Sequence, residues 1–118
     1  MTRETESRSV EDHLPLKPVD FMVLMTLAAR ELHGYGIVAE IAERTESRIR
    51  LVPGNLYAVL QRLRSRGLLD ETDRRPAPDL DDERRRYYAI TAFGRLVLAA
   101  EAERLRGLVG MAEAMELI

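Results

Sequence analysis

The fold is decided by residues 53–69, PGNLYAVLQRLRSRGLL, and by residues 84–91, RRRYYAIT. At about 100° per residue, a helix through the first stretch gathers three leucines on one side: Leu56, Leu60 and Leu63. Its opposite side gathers slim or polar residues: Ala58, Gln61, Arg62 and Ser65. Gly67 is placed to end this helix, and the residues after it predict two strands joined by a charged loop. A helix of this kind fits a DNA major groove, and the hairpin that follows predicts a wing.

Length and composition indicate one soluble globular domain. The chain has 118 residues, of which 46% are hydrophobic and 32% are charged, and this allows a single modest core. Its most hydrophobic stretch, residues 21–29, is about half the length of a membrane span. The polar N-terminus is not typical of a signal peptide, and we expect residues 1–15 to form a disordered tail. The absence of cysteine excludes disulfides and thiolate metal sites, and a cytoplasmic location is the simplest.

Charge is unevenly distributed along the chain. The net charge of −2 by itself argues against nucleic-acid binding, because DNA affinity depends largely on neutralised phosphates. Between residues 44 and 66, however, six arginines stand against one acid, Glu46. The acids gather in the N-terminal tail, at residues 79–83 and along the last helix. This asymmetry predicts one basic face on an otherwise acidic body.

The first half of the chain predicts two helices and an extended segment. Asp20 is placed to cap a nearly buried helix that reaches Leu32, and HGYG at residues 33–36 ends that helix. We expect His33 to be a turn histidine bonded between the first two helices. A second helix follows, and alternating residues then predict a short extended segment over residues 45–52.

The second half predicts a helix, a hairpin and a long helix. Pro53-Gly54 sets the turn into the DNA-reading helix. Strands at residues 68–72 and 86–90 enclose the charged loop, and Thr91 is placed to cap the final helix. The predicted fold class is mainly α with a small β-hairpin.

These residues and their order resemble the PadR family of transcriptional regulators over about residues 16–109. The signatures are weak alone and specific together: HGYGI at 33–37, PGNLY at 53–57, LQRL at 60–63, GL at 67–68, RYYAIT at 86–91 and Gly94. The resemblance implies a winged helix-turn-helix DNA-binding domain over residues 16–90 and a single C-terminal dimerisation helix over residues 91–118. Two positions depart from the family pattern. Asn55 stands where Thr or Ser is usual, and residues 46–48 lack the glycine often found there.

The DNA-reading helix carries candidates for base contact. Asn55 can cap the helix or use its amide to read adenine, and both roles stay open. Gln61 is suited to adenine, and Arg62 to guanine or to a phosphate. Tyr57 lies at the flank of the leucine side, where it either packs on the core or points its hydroxyl at a phosphate.

Arginines flank this helix and the hairpin. Arg64 and Arg66 are predicted to clamp the DNA backbone. In the hairpin, Arg74, Arg75 and Arg86 can reach phosphates or an adjacent minor groove. The alternative is a solvated loop without a role in DNA binding. The predicted DNA-binding set is completed by two residues of the exposed helix face: Ala58 and Ser65.

The final helix carries more apolar surface than one small domain can cover, which predicts a homodimer. The residues assigned to the dimer interface are Leu96, Leu105, Leu108, Val109, Ala112 and Met115. Gly107 and Gly110 either permit close approach of two helices or mark fraying of the helix end. Glu101 and Glu103 are expected in local i,i+4 pairs or in solvent.

Enzymatic function finds no support in the sequence. Phosphate loops, nucleophile motifs and buried carboxylate pairs are not predicted, and His13 is the only other histidine beside His33. We therefore expect no enzyme, no metal, no cofactor and no membrane association.

The predicted function is that of a transcriptional repressor. It binds double-stranded DNA as a homodimer, on an inverted repeat whose half-sites lie about one helical turn apart. The alternative is a winged-helix adaptor that binds proteins and not DNA. The resemblance also implies a small-molecule effector near the dimer interface, whose identity the sequence does not give. Because the chain has no tryptophan and few aromatic residues in that region, a ligand-free or protein-regulated mode stays open.

Overall fold

The computed structural model describes residues 10–72 and 86–118. Within these ranges the elements are α1 (Pro18–Ala29), β1 (Leu32–His33), α2 (Gly34–Arg44), α3 (Pro53–Ser65), β2 (Leu69–Thr72), β3 (Tyr87–Ile90) and α4 (Ala92–Ala114). The mainly α fold with a small hairpin is confirmed. The hairpin gains a third strand, β1, that the sequence did not predict.

The three strands form one antiparallel sheet in the order β1-β3-β2. Leu32 of β1 lies opposite Tyr88 of β3. The prediction that the first helix reaches Leu32 is therefore wrong, because α1 ends at Ala29 and Arg30 is extended. The backbone of β1 pairs with β3, a strand distant in sequence, and the local pattern of residues does not predict such pairing.

The core lies between the four helices and the sheet. Buried side chains of the first three helices form its centre: Leu24, Leu27, Ile37, Ile41, Leu56, Leu60 and Leu63. Burial of one such side chain contributes about 1.5–3 kcal/mol to folding. Since three of these leucines lie on α3, burial of the leucine side fixes which face of α3 remains outside.

Two predicted N-caps are corrected by the structure, because a proline begins each helix. α1 begins at Pro18 and α3 at Pro53, and neither helix has a side-chain cap. Proline suits this position because it lacks an N–H that would need a partner. Asp20 lies within the first turn of α1 and is fully buried. Asn55 lies within the first turn of α3 and is exposed, which excludes its capping role.

The end of α3 agrees with the prediction. Gly67 has a φ of +74°, which glycine adopts without strain. Its N–H donates to the Arg64 carbonyl at 2.9 Å, and the Leu68 N–H donates to the Leu63 carbonyl at 3.0 Å. This Schellman motif satisfies the last carbonyls of the helix and turns the chain into β2.

A close junction joins the start of α4 to the end of α3. Thr91 caps α4 as predicted, since its Oγ1 accepts from the Gly94 N–H at 2.9 Å. The same hydroxyl donates to the Gly67 carbonyl at 2.6 Å. A Cβ added at Gly94 would lie 1.9 Å from the Leu68 carbonyl oxygen. Only glycine permits this approach, which fixes α4 against the base of the hairpin.

The connection between α2 and α3 begins with a turn over residues 45–47, where extended backbone was predicted, whereas Val52 at its end is extended. The Ser47 N–H donates to the Ala42 carbonyl at 2.7 Å. Glu46 and Ser47 have φ values of +53° and +64°, a region that costs residues with side chains about 1 kcal/mol or more. The apolar side chain of Ile49 packs against the core instead of entering a sheet.

The chain from Val10 onward packs on α4, which corrects the prediction of a disordered tail for residues 10–15. Val10 and Leu14 lie against the core, and the rings of His13 and Phe93 meet edge to face with centroids 5.4 Å apart. These contacts partly bury apolar side chains in a segment whose polar sequence gave no sign of packing.

Glu101 of α4 anchors this segment and is buried, so of the two expected alternatives solvent exposure is wrong. Its Oε2 accepts from the Leu16 N–H at 3.0 Å. Arg104 donates to both carboxylate oxygens, at 2.6 and 3.0 Å, so the local pair is i,i+3. The Arg104 guanidinium lowers the pKa of Glu101, against the opposing effect of burial, and the Leu16 amide adds to the lowering. The carboxylate is therefore held in its charged form.

Candidate DNA interface

The exposed face of α3 carries four of the predicted DNA-binding residues: Asn55, Ala58, Gln61 and Ser65. Two carboxamides can each donate and accept hydrogen bonds, as adenine readout requires, and the methyl of Ala58 permits a close approach. The Ser65 hydroxyl donates to the Arg62 carbonyl at 2.8 Å, which leaves its lone pairs for an external donor. The exposed face is therefore slim and rich in hydrogen-bonding groups.

Arg62 does not project freely from this face. Its Nη2 lies 2.5 Å from Asp20 Oδ1, and its Nε donates to Asp20 Oδ2 at 3.2 Å. The Asp20 side chain has no exposed surface, and 31% of the Arg62 side chain is exposed. The carboxylate of Asp20 raises the pKa of Arg62 by hydrogen bonding, against the effect of burial. The outward projection of Arg62 is thus corrected, because its charged end is turned toward α1.

Tyr57 combines packing with exposure. Its side chain is 56% exposed and borders a cavity of about 320 Å³ between α2, α3 and β3. Tyr88 and Arg86 line the same cavity. Burial, followed by the charge of Glu71, raises the pKa of Tyr88, so its hydroxyl stays protonated. The two roles predicted for Tyr57, ring packing and a hydroxyl available to phosphate, are geometrically compatible.

An exposed ion-pair network joins the last turn of α3 to the base of the hairpin. Arg64 contacts Asp70 at 3.3 Å and Glu71 at 3.1 Å, and Arg86 reaches the same Glu71 oxygen at 3.3 Å. Exposed pairs of this kind contribute little, about 0–1 kcal/mol. Both arginines can therefore exchange Glu71 for a phosphate at small cost.

The structure refines the predicted basic face. Three of the six arginines counted between residues 44 and 66 pair with acids: Arg44 with Glu40, Arg62 with Asp20, and Arg64 with Asp70 and Glu71. In the described part of the chain, Arg48, Arg50 and Arg66 are exposed and have no acidic partner. Arg74 and Arg75 lie outside the described residues.

The predicted dimer residues lie along an exposed part of α4. Leu96, Leu108 and Val109 are each about half exposed, and Met115 is 66% exposed. Leu105 and Ala112 are half-buried. The helix continues through Gly107 and Gly110 to Ala114, so fraying at the two glycines is not observed.

His33 has a local structural role. Its Nδ1 accepts from the Gly36 N–H at 3.1 Å and so caps α2. The ring also meets Tyr87 edge to face, with centroids 5.3 Å apart. Over residues 10–72 and 86–118, no group of three His, Cys, Asp or Glu side chains is placed to hold a metal ion. Over the same ranges, no helix has the length and hydropathy to cross a membrane.

Within residues 10–72 and 86–118, the sequence did not predict the burial of two carboxylates, those of Asp20 and Glu101. Asp20 meets a partner 42 residues away and Glu101 meets the Leu16 amide 85 residues away. An acid within an otherwise apolar helix, as Asp20 is in α1, is the one sequence signal that pointed to a buried partner.

Comparison with known proteins identifies relatives across most of the chain. The sequence pattern of the transcriptional regulator PadR-like family matches residues 23–100. An uncharacterised protein of Lysinibacillus sphaericus, protein X, is 30% identical over 82 residues, which cover 69% of this chain and 72% of that protein.

Solved structures share the fold. A PadR family transcription regulator from Clostridium difficile R20291 superposes with a TM-score of 0.71 at 23% identity, covering 84% of this chain and 98% of that one. Bacillus subtilis PadR, solved in complex with operator DNA, superposes with a TM-score of 0.58 at 21% identity. That match covers 73% of this chain and spans 47% of the Bacillus protein.

Proposed function

Since this chain belongs to the PadR-like family of transcriptional regulators, we propose that it is a sequence-specific DNA-binding repressor that acts as a homodimer. The observation that carries the proposal is the exposed face of α3. Its carboxamides and small side chains stand outward while its leucines are buried in the core. A rigid helix with such a face is suited to a major groove.

In the proposed complex, side chains of α3 read bases and flanking groups hold the backbone. Asn55 and Gln61 pair with adenine edges, and Ala58 and Ser65 allow the helix to lie close to the bases. The phosphate-contacting groups are Tyr57, Arg64, Arg66 and Arg86, with Arg74 and Arg75 in the hairpin loop. Bacillus subtilis PadR, which shares this fold, has been solved with operator DNA, and this supports the assignment.

The exposed apolar part of α4 supports the homodimer. Leu108, Val109 and Met115 expose large apolar side chains in succession along the helix. A two-fold contact between two copies would cover them and place the two α3 helices symmetrically. The expected operator is then an inverted repeat with half-site centres about 34–36 Å apart, one turn of DNA.

The test of DNA reading is selection of duplexes from a random pool, followed by titration of the selected and scrambled duplexes. Gln61→Ala should weaken binding to the selected duplex by about 1–3 kcal/mol and flatten preference at one base pair. Arg66→Ala, a matched change at the end of the same helix, should weaken both duplexes alike and reduce the salt slope by about one. A parent protein that enriches no sequence and binds no duplex at low salt would favour the protein-binding adaptor.

The repressor assignment is tested in a transcription assay with the selected operator placed over a promoter. Added protein should lower transcript yield, and Gln61→Ala should lower it less. Increased transcription would instead assign an activator. The same assay, repeated with candidate small molecules, tests the expected effector.

A further inference from the structure

The contact between Asp20 and Arg62 is the one place where a charged side chain of α3 is bound into the protein interior. Two nitrogens of Arg62 meet the two oxygens of Asp20, a bidentate arrangement that fixes the plane of the guanidinium. The contact joins the first turn of α1 to the third turn of α3. Within the described residues, Arg62 is the only recorded partner of the Asp20 carboxylate, which has no exposed surface.

We propose that Arg62 is a positioning residue, and that its bond to Asp20 sets the rotation of α3 about its own axis and so selects which side chains face the bases. This inference rests on the proposed function, since it concerns the same DNA-reading helix. Around the helix axis, Gln61 lies about 100° and Ser65 about 60° from Arg62, both on the same side of it. A rotation of α3 would therefore move both of them across the base edges together.

Energetics favour the positioning role over direct base reading. To reach a guanine, Arg62 would have to leave the carboxylate of Asp20 buried and unpaired. Breaking a buried pair in this way lowers the folding equilibrium by roughly two to three and a half orders of magnitude. One base contact returns roughly one to two orders. The bond to Asp20 therefore persists in the DNA complex.

Packing of the leucine side alone leaves room for such a rotation. Leu56, Leu60 and Leu63 are held by non-directional apolar contacts, and apolar cores accommodate small shifts. A bidentate ion pair has a defined direction and distance. It therefore restricts the rotation that apolar packing permits.

The test is a cycle of four proteins: the parent, Asp20→Asn, Arg62→Gln and the double variant. Each is titrated with the selected duplex, with a scrambled duplex and with duplexes changed at one base pair at a time. Circular dichroism and denaturant unfolding on the same samples report the folded fraction. The matched control is Arg66→Gln. Arg66 lies at the end of the same helix and, within the described residues, has no acidic partner.

If Arg62 positions α3, Asp20→Asn and Arg62→Gln should lower the ratio of selected to scrambled affinity to a similar extent, by about tenfold. The double variant should be no worse than either single variant. The loss should spread over every base pair that α3 reads, and the salt slope should stay at the parent value. Arg66→Gln should lower the slope by about one and leave the ratio unchanged.

Three results would overturn the proposal. The first is loss of preference at a single base pair in Arg62→Gln, with full preference in Asp20→Asn. The second is a further loss when Arg62→Gln is added to Asp20→Asn. The third is a salt slope that falls by about one in Arg62→Gln, since that would place the guanidinium on a phosphate.

If the single variants do not fold, a double variant with apolar residues at both positions can still test the proposal. Asp20→Leu with Arg62→Met removes both charges together, and such exchanges of a buried pair are often tolerated. The proposal expects this protein to fold, keep the parent salt slope and lose preference across several base pairs. Loss at one base pair alone would overturn it. If the parent protein selects no sequence, the proposed function is wrong. Non-additive changes in the free energy of unfolding of the Asp20 and Arg62 variants would still show that the ion pair exists.

Discussion

The two halves of α4 share one helical period and have opposite surroundings. Residues 92–104 contain every buried position of the helix: Gly94, Val97 and Glu101. Residues 105–114 contain none, and large apolar side chains there, such as Leu108 and Met111, are half exposed or more. An apolar stripe on a helix predicts that another surface covers it, but not whether that surface belongs to the same chain or to a second copy.

The difference follows from what each half meets. The first half is fixed by the close approach of Gly94 to the Leu68 carbonyl and by the bond from Leu16 to Glu101. Beyond Arg104 the helix extends away from these anchors. Its apolar side chains are therefore available to a second copy, as the proposed homodimer requires.

The largest effect is expected from Gly94→Ala in the packed half. The added Cβ would lie 1.9 Å from the Leu68 carbonyl oxygen, so α4 must shift away from the base of the hairpin. We expect destabilisation by about 3 kcal/mol, measured by denaturant unfolding. A stability within experimental error of the parent would show that the junction is not close-packed.

A smaller effect, on assembly and through it on operator binding, is expected from Leu108→Asp in the exposed half. In the proposed dimer this change buries an unpaired carboxylate, and monomers should result. Because the second half-site is then no longer bound intramolecularly, operator affinity should fall by about 10²-fold. Light scattering reports the mass, and circular dichroism should show an unchanged helix content. A variant that stays dimeric would remove Leu108 from the interface.

Glu101→Gln tests the anchor at the boundary between the halves. The amide keeps the size but loses charge-assisted bonds to Arg104 and the Leu16 N–H, and we expect a loss of about 2 kcal/mol at neutral pH.

The pH dependence of this loss has a defined sign. The pKa of Glu101 is lowered from 4.5 on folding, so its stabilisation is present above 4.5 and disappears as the pH falls through the lower folded value. The stability difference between parent and variant should therefore narrow below pH 4.5. If the stability difference stays constant down to a pH at which Glu101 is fully protonated, the charge of Glu101 does not stabilise the fold. Chemical unfolding at a series of pH values measures this difference.

The smallest effect is expected from Gly107→Ala, the counterpart of Gly94→Ala in the exposed half. An added Cβ at Gly107 meets no atom within 4 Å, so only the gain in helix propensity remains. We expect stabilisation by about 0.5–1 kcal/mol, measured by thermal unfolding. Weakened dimerisation of this variant in light scattering would instead show that Gly107 permits close approach of two helices.

Local signals in the sequence predicted much of the fold. The leucine side of α3, the stop at Gly67 and the cap at Thr91 each depend on residues within a turn or two of one another. The exposed face of α3 followed from the same periodicity. The start of α1 was predicted less well, because Asp20 carries a side chain typical of a cap while Pro18 determines where the helix begins.

The sequence by itself determined the order of the helices, the inward side of α3 and the turn that leads into the hairpin, because the interactions involved are three or four residues apart. Only the tertiary structure decided the partner of Arg62, the bond from the Leu16 amide to Glu101 and the addition of β1 to the sheet. Asp20 and Arg62 are separated by 42 residues, and Leu16 and Glu101 by 85. Contacts of that range depend on how elements approach one another in space, and the spacing of residues along the chain does not encode that approach.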